Sequence, residues 1–172
     1  MKHLKDFDAL YFDTLYEEVS PNIGIENGSM TVDKLNSLLS NHFILFMKIW
    51  NFHWNLVSKR FGPLHKFFND LYDKFFNDID GIAERIRMIG GKPIGSLRGY
   101  LEKTKLEEFE GEETPKDTKM IEMILSDYET IIKEIREILQ GDVDNGTSKY
   151  LEDLIEAHEK DAWMLRSYLT EK

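Results

Sequence analysis

NFHWNLVSKRFGPLHKFFNDLYDKFFNDIDGIAERIRMIGG, residues 51–91, decides the fold. It carries two histidines, His53 and His65, and then a carboxylate pair, Asp80 and Glu84, at the i,i+4 spacing that puts both on one helix face. Imidazole and carboxylate are hard or borderline ligands. On long amphipathic helices, four such groups suggest a metal site built into a helix bundle.

The residues on either side keep the same period. Before the stretch, Val32, Leu35, Leu38/Leu39, His42, Leu45/Phe46, Ile49, His53 and Leu56 recur every 3.6 residues, which predicts a helix over 32–56 with Thr31 as its cap. Its FILFMKIW segment, residues 43–50, is apolar almost all round. That predicts burial on two sides, once in its own bundle and once against another subunit. A turn is expected over 58–62, with Pro63 in the first turn of a second helix that the glycines at 90–91 end. Leu64, Phe68, Leu71, Phe75, Ile79, Ile82, Ile86 and Ile89 form its main stripe, and His65, Asn69, Tyr72, Phe76 and Asp80 a second row beside it.

Residues 92–113 form a long connection with a short helix expected over 96–105, capped by Ser96; EEFEGEE at 107–113 reads as a solvated acidic loop. TPKD at 114–117 resembles a capping box with proline at the first helical position, which starts a third long helix there. That helix has a stripe of Met120/Ile121, Ile124, Tyr128, Ile131/Ile132, Ile135 and Ile138/Leu139. GDVDNGT at 141–147 is a turn. A last helix follows with Leu151, Leu154/Ile155, His158, Ala162, Leu165 and Leu169 facing in. The expected class is all-α, with four long helices, two hairpins and one crossover. Residues 1–30 are a separate lead-in, partly helical over 8–19, and residues 31–172 are the bundle.

The chain has 172 residues, enough for one domain with a sizeable core, and its 41% hydrophobic and 31% charged content is ordinary for a globular protein. A net charge of −10 gives no general attraction to nucleic acid or anionic lipid. With no cysteine, disulfides and thiolate chemistry are excluded, and a metal would fall to His, carboxylate, amide or backbone oxygen. The first residues show no apolar run with a cleavage site, so no signal peptide is read and a cytoplasmic protein is expected.

Geometry constrains how the four candidate ligands are used. Fifteen helical residues separate His65 from Asp80, about 22 Å of rise, while metal–ligand bonds are about 2 Å. One chain cannot bring them to one ion. Two chains packed antiparallel about a two-fold axis can, each site taking His53 and His65 from one chain and Asp80 and Glu84 from the other. Blander accounts stand beside this one. Asp80 and Glu84 equally fit a solvated flank, and His42 and His158 fit satisfied core residues. Asp70, Asp73 and Asp78 fit surface charge. Trp50, Trp54 and Trp163 fit packing residues, although Trp54 beside His53 could also accept an oxidising equivalent.

KLNSLL at 34–39, NFHWN at 51–55, LH at 64–65, DGIAERIRMIGG at 80–91 and HEKDAWMLRSYL at 158–169 are spaced as in one known family. Over roughly residues 30–172 the chain resembles the Dps family, the dodecameric miniferritins also called DNA-protection-during-starvation proteins. The resemblance implies a four-helix ferritin-like bundle with a short helix in the long middle connection, and a hollow homo-dodecameric shell built from two-fold dimers. It implies a ferroxidase that binds ferrous iron at dimer-interface sites, oxidises it preferentially with hydrogen peroxide and stores the ferric mineral, limiting oxidative damage. The family's ligand pattern falls on His53, His65, Asp80 and Glu84, donors that other divalent metals such as zinc would also accept.

One position departs from the pattern. Where the family usually places an aspartate, four residues after the second histidine, this chain has Asn69, a neutral and weaker ligand. A first iron on the other four residues is expected to survive and a second to be weak. This motivates an alternative: a shell with impaired ferroxidase activity, acting mainly as a metal-binding or DNA-compacting structural protein. Direct DNA binding is not expected, because the lead-in is net acidic, the last residues YLTEK form no basic tail, and the whole chain is anionic. The resemblance also implies an acidic iron-entry pore near the start of the last helix. Asp142 and Asp144 lie there, though Lys149 stands where a further acid is expected and a plain solvated turn fits as well.

Overall fold

A computed structural model describes residue 21, residues 23–25 and residues 28–170, so the expected helix over 8–19 lies outside the described residues. Five helices are present among them: α1 (Gly28–Asn55), α2 (Phe61–Met88), α3 (Leu97–Lys103), α4 (Asp117–Leu139) and α5 (Asn145–Leu169). No described residue is in a strand. α1 and α2 pair as one hairpin and α4 and α5 as another; α1 packs on α4, α2 on α5, and the short α3 lies on α1. The long connection between α2 and α4 carries the chain from one hairpin to the other, as a crossover bundle requires. Among the described residues no helix is long and apolar enough to cross a membrane.

The stripes are where the period places them. Leu35, Leu38, Leu45 and Ile49 of α1, Phe68, Phe75, Ile82 and Ile86 of α2, and Ile124, Tyr128 and Ile131 of α4 are fully buried. Each such side chain contributes about 1.5–3 kcal/mol when taken from water. The apolar 43–50 segment holds a surprise, a buried Lys48 whose ammonium pairs with Asp127 of α4 at 2.5 Å. Buried Glu134 likewise ties α4 to α1, accepting from Ser37 at 2.6 Å and Asn41 at 2.5 Å, with Lys105 at 3.0 Å.

The helix ends correct the expectations in places. α1 begins at Gly28, so Thr31 is a buried helical residue and not its cap. α4 begins at Asp117; Lys116 is extended, with φ −62° and ψ 152°, and Pro115 stands outside the helix. Ser96 does cap α3, accepting from the Gly99 amide. α2 stops as the glycine pair predicts. Gly90 takes φ +83°, its N–H bonds to the Arg87 carbonyl, and the Gly91 N–H reaches back to Ile86. This is the left-handed glycine stop in which two otherwise orphaned carbonyls are satisfied. The acidic 107–113 loop is not wholly solvated, since Phe109 packs edge-on against Phe52 of α1 at 5.0 Å.

Candidate metal centre

α1 ends and α2 begins around the two histidines. The connection between them, residues 56–60, is short, so His53 in the last turn of α1 meets His65 in the second turn of α2. The rings stack with centroids 3.8 Å apart and planes 20° from parallel. Each Nδ1 lies against the other residue's backbone carbonyl, at 3.0 Å for His53 and 3.2 Å for His65. A carbonyl only accepts, so each Nδ1 carries the proton and donates it. Each Nε2 therefore keeps its lone pair. This is the second-shell arrangement that fixes ring and tautomer in metal-ligating histidines. Burial lowers the His53 pKa below its ordinary 6.5, against the pull of the His65 carbonyl and the Asp73 charge, so its ring is neutral at neutral pH. Two imidazoles oriented in this way fit a divalent metal ion.

Asp80 and Glu84 lie far along α2, exposed, and neither makes a hydrogen bond or ion pair among the described residues. The structure brings the two histidines together and keeps these two carboxylates near each other. It does not bring the pairs to each other within one chain. The carboxylates lie where α5 approaches α2, and with Asp78 they raise the pKa of Tyr150, though burial of that phenol is the larger cause. A Cβ at Gly81 would come within 2.7 Å of the Tyr150 hydroxyl, so glycine there permits the approach.

Asn69, on the same row as His65, is already engaged. Its carbonyl accepts from the Tyr72 hydroxyl at 2.7 Å, and its amide donates to Asp73 at 2.7 Å. Asp73 is exposed, as a surface charge is expected to be, and its charge also acts on His53. The 100° step per residue places Asp73 on the same face as Asn69, and that spacing was the available signal. Asp70 is surface charge as expected, paired with Lys66 at 2.7 Å.

An aromatic ridge runs beside the pair. Phe46 touches Phe76 and Trp50, and Trp50 touches Tyr72 and Trp54, at centroid distances of 4.6–6.5 Å. Its ends are open: Phe76 is 64% and Trp54 59% exposed. Trp163, on α5, is exposed too, so of the three tryptophans expected to pack, Trp50 is the one partly covered within one chain.

Asp144 begins α5 as its N-cap, accepting from the Gly146 and Thr147 amides and from Arg85 at 2.6 Å. Burial works to raise its pKa, but the Thr147 and Gly146 hydrogen bonds and the Arg85 charge hold it below the ordinary carboxylate value. Asp142 is exposed.

A second cluster was not foreseen. His42 of α1, Asp78 of α2 and His158 of α5 each offer a donor atom within 4.8 Å of the others. Both histidines are fully buried, as expected of core residues, with Nε2 atoms 2.9 Å apart. Asp78 is not the surface charge its sequence position suggested. Burial lifts its pKa from 3.8 to about 7, against the pull of Lys74.

Residues 32–172 match the family described as Ferritin-like domain. DNA protection during starvation protein 2 of Bacillus anthracis is 38% identical over 143 residues, covering 81% of this chain and 97% of that protein. An uncharacterized low temperature-induced protein of Nostoc sp. is 38% identical over 154 residues, 86% of each chain. In structure, the DPS protein from Vibrio cholerae O1, described as a member of a broad superfamily of ferritin-like diiron-carboxylate proteins, is similar with a TM-score of 0.79 at 29% identity, over 83% of this chain and 91% of that one.

Proposed function

This chain belongs to the Dps family of ferritin-like proteins, and from that premise we propose that it oxidises ferrous iron with hydrogen peroxide at sites shared between two subunits, and stores the ferric product in a dodecameric shell. Iron storage and protection from oxidative damage are the general function of such a protein. The observation that carries the specific reading is the His53–His65 pair, stacked and tautomerically fixed by reciprocal Nδ1–H donation to backbone carbonyls.

Ferrous iron is the substrate. Two ferrous ions each give one electron to one hydrogen peroxide, which becomes two hydroxide ions. The two reagents that would otherwise generate hydroxyl radical are consumed together. The chain's own contribution is to bind and orient. The two Nε2 lone pairs hold iron from one side. Asp80 and Glu84 of a second subunit supply the anionic side and favour the ferric product by charge. The lack of partners for Asp80 and Glu84 among the described residues and the open aromatic ridge support a two-fold neighbour packed over α1 and α2. Zinc would accept the same donors. Asp142, which is exposed, and Asp144, which caps α5, are the candidates for an iron-entry pore. Direct DNA binding is not part of this proposal, because a chain of net charge −10 repels a phosphate backbone.

One observation favours a slower version of the same activity. The Asn69 carbonyl, the oxygen that would face a second iron, is turned to the Tyr72 hydroxyl. The site then works with one firmly held iron and one loosely held.

Co-assembly tests the proposal. One variant lacks both histidines (His53→Ala, His65→Ala) and the other both carboxylates (Asp80→Ala, Glu84→Ala). Each alone is expected to oxidise ferrous iron under anaerobic conditions with peroxide no faster than buffer. Mixed at equal amounts and reassembled, they should recover roughly a quarter of the parent rate, because only mixed dimers regenerate a site and each regenerates one of its two. The ferric product should elute with a dodecamer-sized peak. Parent-level activity in either single variant, or no recovery on mixing, would refute the shared site.

A further inference from the structure

The second cluster lies within one subunit and is independent of the interfacial reading. His42 Nδ1–H donates to the Leu38 carbonyl at 2.8 Å, which leaves its Nε2 as a lone pair aimed at His158. His158 Nδ1 and Asp78 Oδ2 are both buried without a hydrogen-bond partner. Native interiors rarely leave such atoms unsatisfied, and a missing ion is one standing explanation. Lys74, the cation whose charge reaches Asp78, instead donates to Asp161 at 2.5 Å and to the Ala157 carbonyl. Tyr128 also donates to Asp161.

We propose that His42, Asp78 and His158 form a second metal site, inside each subunit, for one divalent transition-metal ion of the zinc, cobalt or iron(II) class. Two imidazoles and one carboxylate are an N2O donor set of borderline softness, the set such ions take up with one further position left for water. With the His158 Nε2–H turned to the His42 Nε2 lone pair, the two acceptors left unsatisfied are His158 Nδ1 and Asp78 Oδ2, and an ion drawn among the three groups would give them the partner they lack. An anion would face the Asp78 carboxylate and is excluded. The second shell is in place: Leu38 orients the His42 ring, and Phe75 stacks on His158 at 5.3 Å. Asp78 is only half-buried and gives the ion a way in from the α2–α5 surface.

The test uses full-length protein carrying His53→Ala and His65→Ala, so that the interfacial histidines contribute nothing and failure of the oxidation proposal leaves the result unaffected. Metal-stripped protein is titrated with cobalt(II) and passed over a sizing column. The expected result is about one cobalt per chain, with the intense visible absorption of a low-coordinate ion. Adding Asp78→Asn should abolish that band while circular dichroism and elution stay unchanged. Crystals of the same two-histidine variant soaked in zinc chloride should show an anomalous peak among the three side chains, which reads the unsubstituted pocket even if Asp78→Asn fails to assemble. The proposal is overturned if the cobalt band is missing, if it persists after Asp78→Asn with His158→Gln, or if the zinc-soaked pocket shows water alone.

Discussion

The chain holds two histidine pairs, and the contrast between them is instructive. His53 and His65 stack at the mouth of the α1–α2 hairpin, and each ring is oriented by the other's backbone. His42 and His158 meet in the core, nitrogen to nitrogen, walled by Phe75 and Tyr128. Desolvation keeps rings in both pairs neutral: it lowers the His53 pKa, drives His42 down to about 4, and takes His158 well below its ordinary value. A neutral imidazole is therefore common ground. The pairs differ in where the charge comes from. The buried pair has its carboxylate, Asp78, within its own subunit, whereas the proposed function has the hairpin pair take its carboxylates from a second subunit. On these two proposals a single fold carries one site complete in a subunit and another that assembly completes.

The largest effect should appear when the same substitution is made in each pair. His158→Ala removes a fully buried ring, leaves a cavity beside Phe75 and strips the His42 Nε2 of its partner. It should cost about 2–4 kcal/mol in denaturant unfolding of the metal-free protein. His65→Ala, at a half-buried position, should cost less than about 1 kcal/mol. Peroxide-driven iron oxidation should show the reverse order, lost in His65→Ala and retained in His158→Ala. Equal stability losses would erase the distinction between core pair and hairpin pair.

The two pairs were also unequally legible in the sequence. Asp80 and Glu84 stood out because helical spacing puts them on one face, His53 and His65 because two imidazoles flank one short turn, and the 22 Å estimate already separated the two pairs. The bundle was legible for the same reason, since Leu35 to Leu56 and Leu64 to Ile89 keep one period over long runs. The buried cluster was not. Its three residues come from α1, α2 and α5, and no spacing within a helix relates them. Asp78 looked solvated because a helical wheel cannot say that α5 covers that side of α2. Thr31 and the 114–117 segment misled for a local reason: cap-like residues occur near helix starts without ending them, and the chain begins α1 earlier and α4 later.

A smaller change sharpens the hairpin site alone. Asn69→Asp would put a second carboxylate 2.7 Å from Asp73 where an amide now donates. In metal-free protein the like charges should lower stability by roughly 0.2–0.5 kcal/mol, as an i,i+4 repulsion does. With ferrous iron the sign should reverse, because the new carboxylate gains a cation. The initial oxidation rate should rise several-fold, about 1 kcal/mol off the barrier. A rate no faster than the parent's would mean that Asn69 does not limit the centre. The buried pair should not register the change, so its cobalt spectrum serves as the control.

The smallest effect concerns how the hairpin pair is held. Its connection is anchored to α4 through Asp117, which accepts from Ser58 at 2.5 Å and pairs with Arg60 at 3.0 Å. The buried pair has no such tether and needs none, since the core encloses it. The Ser58 hydrogen bond, aided by Arg60 and the Thr118 amide against a burial cost, holds the Asp117 pKa below its ordinary 3.8. A depressed folded-state value means that the stabilisation is fully present above about pH 4 and fades as pH falls through the lower folded pKa. Ser58→Ala should therefore cost about 1 kcal/mol at pH 7, the worth of one hydrogen bond to a charged group in a partly exposed setting. The gap between variant and parent should narrow as pH falls below 4 and close once pH is below the lowered folded-state pKa, where Asp117 is protonated in both. Unfolding midpoints measured at pH 7 and pH 3 would show this directly. A gap that stays constant across that range would mean the hydroxyl acts by packing and not through the carboxylate. Because His53 and His65 orient each other across this connection, loosening it should also broaden the iron affinity of the hairpin site and leave the core site unchanged.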